Sequence, residues 1–165
     1  MYESKILKEF AMAEGTLTFK EALEVAINEE IKAYNLYTGL RKKVKNSATQ
    51  AMLTELAHQE LGHRKLLEEV VRAERYDQLG ENVPAESQGI ADFLVVDDIG
   101  DTATPQEVMI FAIKAEVKAY NFYHDFTKYF KGTALEALFQ SLAAEEQRHK
   151  TRLEDEYETH FMRDN

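Results

Sequence analysis

The chain has 165 residues, enough for one domain with a single core, and carries a formal charge of −10. An acidic chain without a basic cluster excludes nucleic acid and anionic membrane as partners, and no apolar run is long enough to span a bilayer. Cysteine is absent, which excludes disulfides, iron–sulfur clusters and thiolate zinc sites.

The opening residues Met1-Tyr2-Glu3-Ser4-Lys5 lack the basic-then-apolar layout of a signal peptide, so a cytoplasmic protein is expected, with one domain over 1–165. Gly and Pro are scarce while Ala, Glu, Leu and Lys abound, a composition for helices. Residues 3–13 are expected to form a short extra helix. The first long helix, α1, is placed at about 18–45, opened by a capping box Thr18-x-x-Glu21. The second, α2, is placed at about 47–76, with Ser47-x-x-Gln50 read as its cap. A crossover fills 77–103. Helix α3 follows at about 104–131, capped by Thr104-Pro105-x-Glu107 with Pro at the first helical position. Helix α4 runs over about 133–161, with Thr133-x-x-Glu136 at its start.

Each helix bears an apolar stripe at three-to-four spacing. In α1 it is Phe19, Leu23, Ile27, Glu30, Tyr34, Tyr37, Leu40 and Val44; in α2, Leu53, Leu56, Glu60, His63, Leu67 and Val70. In α3 it is Val108, Ala112, Glu116, Tyr120, Tyr123 and Phe130; in α4, Leu135, Leu138, Leu142, Glu146, His149 and Leu153. Short turns make α1/α2 and α3/α4 antiparallel hairpins. Each long helix is roughly 40 Å, a span the 77–103 segment can cover when extended. Helices α2 and α3 can then run parallel, the one-crossover four-helix bundle. Ile90, Phe93, Leu94, Val95 and Val96 suggest that the crossover packs on the bundle.

Six polar residues interrupt these stripes, and they repeat at an offset of 86 positions. Glu30 matches Glu116, and Glu60-x-x-His63 matches Glu146-x-x-His149. The flanks repeat as well: Ala26-Ile27-x-x-Glu30-x-Lys32-Ala33-Tyr34-Asn35-x-Tyr37 returns as Ala112-Ile113-x-x-Glu116-x-Lys118-Ala119-Tyr120-Asn121-x-Tyr123. Glu30 stands as far before the first turn as Glu60 and His63 stand after it, so all six reach one level of the bundle. Positions i and i+3 share a helix face, so each Glu-x-x-His pair can serve one site. Four uncompensated buried acids would be very costly; two divalent cations neutralise them. Carboxylate with imidazole suits iron or manganese, and zinc would also bind.

Other motifs read as ordinary. Glu55-x-x-His58 repeats the spacing but points away from the core, and its repeat mates are Ser141 and Ala144, so it is surface. His124 and His160 have no repeat partner and are read as surface. Met12, Met52, Met109 and Met162 form no thioether cluster. Asp97-Asp98-x-x-Asp101 lacks calcium-loop spacing. Tyr34, Tyr37, Tyr120 and Tyr123 lie one and two turns from the acids, where core packing is the simplest role.

In its Glu-x-x-Ala-Tyr-x-Phe/Leu-Tyr helices and paired Glu-x-x-His helices, the chain resembles the rubrerythrin family of ferritin-like di-iron carboxylate proteins over about 18–161. The resemblance implies an all-α ferritin-like four-helix bundle, with Glu30, Glu60, His63, Glu116, Glu146 and His149 as ligands of two iron ions and Glu60 and Glu146 as bridges. It also implies that Tyr37 and Tyr123 bond the ligand carboxylates. Two features differ: the four-cysteine rubredoxin domain has no counterpart here, and the family's additional Glu after the α3 ligand is Ala119, with repeat mate Ala33. The expected function is a non-haem di-iron oxidoreductase that reduces peroxide or O₂ with an external donor protein such as a rubredoxin-like carrier. A ferroxidase or iron-storage protein and a metal-bound structural or regulatory domain are the alternatives. A homodimer, with helices exchangeable through the crossover, is the family-based expectation.

Overall fold

The protein is described by a computed structural model covering residues 16–73, 83–84, 99–100 and 103–162. The expected helix at 3–13, the apolar crossover residues 90 and 93–96 and the acidic triplet at 97, 98 and 101 lie outside the described residues. The four helices are α1 (Phe19–Lys43), α2 (Ser47–Arg72), α3 (Pro105–Tyr129) and α4 (Ala134–Tyr157), the last continued by one π-helical turn, Glu158–Met162. Two short strands, β1 (Thr16–Leu17) and β2 (Val83–Pro84), pair antiparallel, Thr16 opposite Pro84 and Leu17 opposite Val83. The fold is an all-α bundle of two helix hairpins.

The helix starts follow from their side chains. Thr18 Oγ1 accepts the Glu21 N–H at 3.2 Å and Glu21 Oε2 accepts the Thr18 N–H at 2.9 Å. Thr104 and Glu107 repeat this reciprocal box at 3.2 and 2.8 Å. The other two boxes expected from sequence do not form. Helix α2 is capped by Asn46, whose Oδ1 accepts from Ala48 and Thr49 N–H at 2.9 and 3.0 Å. Asn is as strong a cap as Ser, and Gln50 donates to the Val44 carbonyl at 2.7 Å instead. At α4, Thr133 does cap, accepting from Leu135 N–H. Glu136, however, accepts the Gly132 N–H at 2.6 Å. Gly132 takes φ 80°, a left-handed turn in which glycine meets no side-chain penalty.

The core divides into two apolar clusters, and these fix the helix directions. One joins Phe19, Leu23 and Ala26 at the start of α1 to Leu67 near the end of α2, Phe126 and Phe130 at the end of α3, and Leu135 and Phe139 at the start of α4. The other joins Tyr37, Leu40 and Val44 to Leu53 and Leu56, Val108 and Ala112, and Leu153. Helices α2 and α3 therefore run parallel. Strand β2 sits beside β1 at the start of α1, and Ile99 and Ala103 pack on the second cluster. Between the clusters, at mid-height, lie the six polar residues of the repeat.

Candidate metal centre

The helices bring all six residues together in a largely dry layer. Glu30, Glu60, Glu116 and Glu146 are each at most 2% exposed and His149 is 3% exposed; the His63 side chain is 13% exposed. The two imidazole rings stack with centroids 5.6 Å apart and planes 13° apart, each turning Nδ1 toward the carboxylates.

His63 Nδ1 lies 3.6 Å from Glu30 Oε2, 3.2 Å from Glu60 Oε2 and 3.4 Å from Glu146 Oε1. His149 Nδ1 lies 3.7 Å from Glu116 Oε2, 3.1 Å from Glu60 Oε1 and 3.2 Å from Glu146 Oε2. Glu60 and Glu146 thus offer one oxygen to each histidine, whereas Glu30 and Glu116 each serve one. The result is two overlapping four-residue sets, Glu30/Glu60/His63/Glu146 and Glu60/Glu116/Glu146/His149, each with its candidate ligand atoms within 4.8 Å of one another.

Those separations suit cations. Neighbouring ligands on a metal with bonds of about 2.1 Å stand roughly 3.0–3.4 Å apart. The hydrogen-bond inventory points the same way. Glu60 Oε1 and Glu116 Oε2 are buried without a hydrogen-bond partner; the 3.1 Å approach of His149 Nδ1 to Glu60 Oε1 lacks hydrogen-bond geometry. Buried carboxylate oxygens without donors cost free energy, which a cation would offset. His149 Nε2, on the far side of the ring, and Gln59 Oε1 are also buried without partners.

Two tyrosines cross the bundle to hold the outer acids. The Tyr37 hydroxyl on α1 donates to Glu116 Oε1 on α3, and the Tyr123 hydroxyl on α3 donates to Glu30 Oε1 on α1. Burial, then the nearby carboxylates, hold both phenols well above their usual range. They stay protonated and serve as donors. Tyr34 and Tyr120 are only partly buried, beside the two apolar clusters.

Proton affinities in the metal-free cluster are strongly displaced. Burial pushes Glu30 up to about 8 against the pull of His63, and burial raises Glu116 well above the carboxylate range. Burial also raises Glu146, but its contacts with His149 and His63 outweigh this and bring it down to about 2. Burial alone would lower both imidazoles. Contacts with Glu146, Glu30 and Glu60 push His63 up to about 12, and contacts with Glu116, Glu146 and Glu60 do the same for His149. Without metal, burial therefore favours protons on Glu30 and Glu116, and the acids favour protons on both imidazoles.

Glu55 and His58 are exposed, as expected, with Glu55 paired to Arg152 at 2.6 Å. His124 is exposed and stacks on Tyr120, and His160 is exposed beside Glu156. Sequence reasoning passed over Glu145, which also comes within 4.8 Å of ligand atoms of His63 and His149 and pairs with Arg148. Its position immediately before Glu146, with Gln59 as repeat mate, was the available signal. On the side of the layer away from the histidines, the α1 and α3 faces line a partly open cavity of about 550 Å³ with all four carboxylates in its lining.

Comparison with known proteins agrees with this geometry. The family model described as Rubrerythrin matches residues 21–95 and 107–165. No curated protein matches. Among solved structures, a hypothetical protein from Pyrococcus furiosus is similar at 26% identity and TM-score 0.62, with 93% of each chain covered. A candidate ferritin-like diiron-carboxylate protein from Thermotoga maritima shares the fold at 20% identity and TM-score 0.68, over 87% of this chain and 96% of the other. A dodecameric thioferritin from Bacteroides fragilis, a bacterioferritin-related protein, shares it at 19% identity and TM-score 0.65, over 87% and 86%. With the family model spanning most of its length and the ferritin-like bundle around a carboxylate–histidine cluster, this chain belongs to the rubrerythrin family.

Proposed function

We propose that the chain is a non-haem di-iron oxidoreductase that reduces hydrogen peroxide or O₂ with electrons from an external donor protein. One observation carries the reading: two four-residue ligand sets share Glu60 and Glu146 and lie in one buried layer. A pair of bound iron ions would supply Lewis acidity and electrons for breaking an O–O bond. Glu30, Glu60, His63 and Glu146 would hold one ion and Glu60, Glu116, Glu146 and His149 the other, with Glu60 and Glu146 common to both sets.

The remaining residues prepare this layer. Tyr37 and Tyr123 hold one oxygen of each outer carboxylate by hydrogen bonding, which leaves the other oxygen facing its histidine. The apolar clusters above and below shield the layer from water at both ends, so charge neutralisation inside counts for more than it would in solvent. The α1/α3 cavity supplies the approach for the oxidant.

The test is anaerobic Fe(II) loading of the full chain, metal analysis, and rapid mixing with peroxide or with O₂. Uptake of two ions per chain and fast formation of a diferric absorption band are the expected results. Retention of fewer than about two ions would remove the reading. Iron storage is the second reading, favoured by the fold shared with a dodecameric thioferritin; a cage-sized assembly by light scattering, with slow turnover, would select it.

A further inference from the structure

The two halves of the metal layer match residue for residue, but the residues behind the histidines do not. Each imidazole turns Nδ1 inward to the carboxylates, so Nε2 lies on the outer side of its ring. A histidine that binds a metal through Nδ1 carries its hydrogen on Nε2, and that N–H needs an acceptor. His149 Nε2 is buried without a hydrogen-bond partner. Two residues can supply acceptors: Glu145 and Gln59 stand immediately before Glu146 and Glu60, at matching positions of the repeat. A carboxylate oxygen of Glu145 and one ring nitrogen of each histidine lie within 4.8 Å of one another, a gap that a small side-chain shift or one bridging water closes. Gln59 Oε1 is a buried acceptor, also without a partner.

The pairing runs across the seam between α2 and α4. Glu145 stands one turn before His149 and shares its helix face, yet it makes no bond to His149 Nε2. The buried donor His149 Nε2 and the buried acceptor Gln59 Oε1 complement each other, and the repeat then gives Glu145 to His63. Exposure agrees: the Glu145 and His63 side chains are 37% and 13% exposed, while that of His149 is 4% exposed. Arg148 donates to Glu145, which still leaves lone pairs on the carboxylate. The repeat mate of Arg148 is Gly62, which has no side chain to hold Gln59. One histidine is thus backed by an acid anchored on an arginine, the other by a neutral amide alone.

We propose that Glu145 and Gln59 are positioning residues that make the two metal positions inequivalent. Glu145 accepts the Nε2–H of His63, Gln59 accepts that of His149, and the ion held with Glu30 and His63 is bound the more tightly. The proposal rests on the two-metal reading and adds an order of filling to it. A carboxylate acceptor strengthens its imidazole as a ligand more than an amide does, because it stabilises the positive charge that a bound cation induces on the ring.

Two measurements on the full chain test this, the first without metal. In the metal-free protein the proton NMR line of the His63 Nε2–H should lie downfield of that of His149. Glu145→Gln should move the His63 line upfield, and Gln59→Leu should move only the His149 line. The second measurement is anaerobic cobalt titration, followed optically, of chains reduced to one position. Glu116→Gln, which retains the His63 position, should hold its ion about tenfold more tightly than Glu30→Gln, which retains the His149 position. Adding Glu145→Gln to the first should remove that advantage. Adding Gln59→Glu to the second should supply it, a gain that loss of packing does not produce; if that variant fails to fold, the Glu145→Gln arm decides alone. Equal affinities in the two single-position chains, or a Glu145→Gln change that weakens both positions alike, would overturn the inequivalence. NMR lines indifferent to both substitutions would overturn the hydrogen-bond assignment. A chain that takes up no cobalt but shows the expected NMR shifts would remove the di-iron function and the order of filling, and leave the hydrogen-bond assignment standing.

Discussion

Glu60 and Glu30 are both buried acids on the same layer, yet their substitution should have different consequences. Glu60 faces both histidines, one oxygen each, whereas Glu30 faces His63 alone. Glu60→Ala should therefore abolish retention of both ions. Glu30→Gln should leave one ion bound and barely alter metal-free stability, because Glu30 is largely protonated at neutral pH and an amide copies its shape. Stepwise cobalt or iron titration followed optically distinguishes these outcomes; equal loss in both variants would refute the bridging role. The tyrosines add a crossed expectation. Tyr37→Phe on α1 should weaken the ion held by Glu116 and His149, and Tyr123→Phe on α3 the ion held by Glu30 and His63, by about 10–100-fold each. A phenylalanine that weakened the ion nearest its own helix's acid would contradict this. The six acids and imidazoles were legible in the sequence because an exact repeat at one offset is hard to explain otherwise. The crossing of the tyrosine bonds was not, since it depends on distances between α1 and α3 that periodicity within one helix does not contain. Glu145 was overlooked for a similar reason: it stands one residue off the apolar stripe and reaches the histidines only once α2 and α4 are packed.

Helix starts test how far local signals reach. The boxes at Thr18 and Thr104 were readable because a Thr with a Glu three positions later places both partners within one turn. Ser47 reads as the α2 cap, although the residue before it, Asn46, is of a type that caps equally well. The structure selects Asn46. Asn46→Ala should cost about 1 kcal/mol and Ser47→Ala a few tenths. In a chain of this size 1 kcal/mol corresponds to roughly 2–4 °C in Tm, so thermal melts of the two variants decide between the caps. A larger loss from Ser47→Ala would refute the assignment. The parallel run of α2 and α3 was legible from the length of 77–103 together with two short turns. The β1–β2 pairing was not legible, because two residues on each side carry no periodic pattern.

At the scale of the whole molecule, the carboxylate–histidine layer should make the stability of the metal-free protein pH-dependent, with a definite sign. Glu30 rises from 4.5 to about 8 on folding, so whatever stability it contributes is full below 4.5 and lost as pH climbs through 8. His63 and His149 rise from 6.5 to about 12, so their contribution is full below 6.5 and declines steadily above it. Glu146, lowered from 4.5 to about 2, acts oppositely, but its window lies below 4.5. Between pH 6.5 and 8, Glu30 and both histidines therefore act in the same direction, and the metal-free protein should lose stability as pH rises. Metal ions replace those protons, and their affinity grows as the ligands deprotonate. The loaded protein should accordingly keep its Tm over the same interval, and the gap between loaded and metal-free melting temperatures should widen from pH 6 to pH 9. Loading at pH 7 in weak buffer should also release protons from both imidazoliums and from Glu30. Calorimetric melts of the two forms across this range make the comparison directly. Parallel curves, or a metal-free form that grows more stable toward pH 8, would mean that protons do not hold the empty layer together. The arrangement of Glu30, His63 and His149 would then need another explanation for tolerating four buried acids.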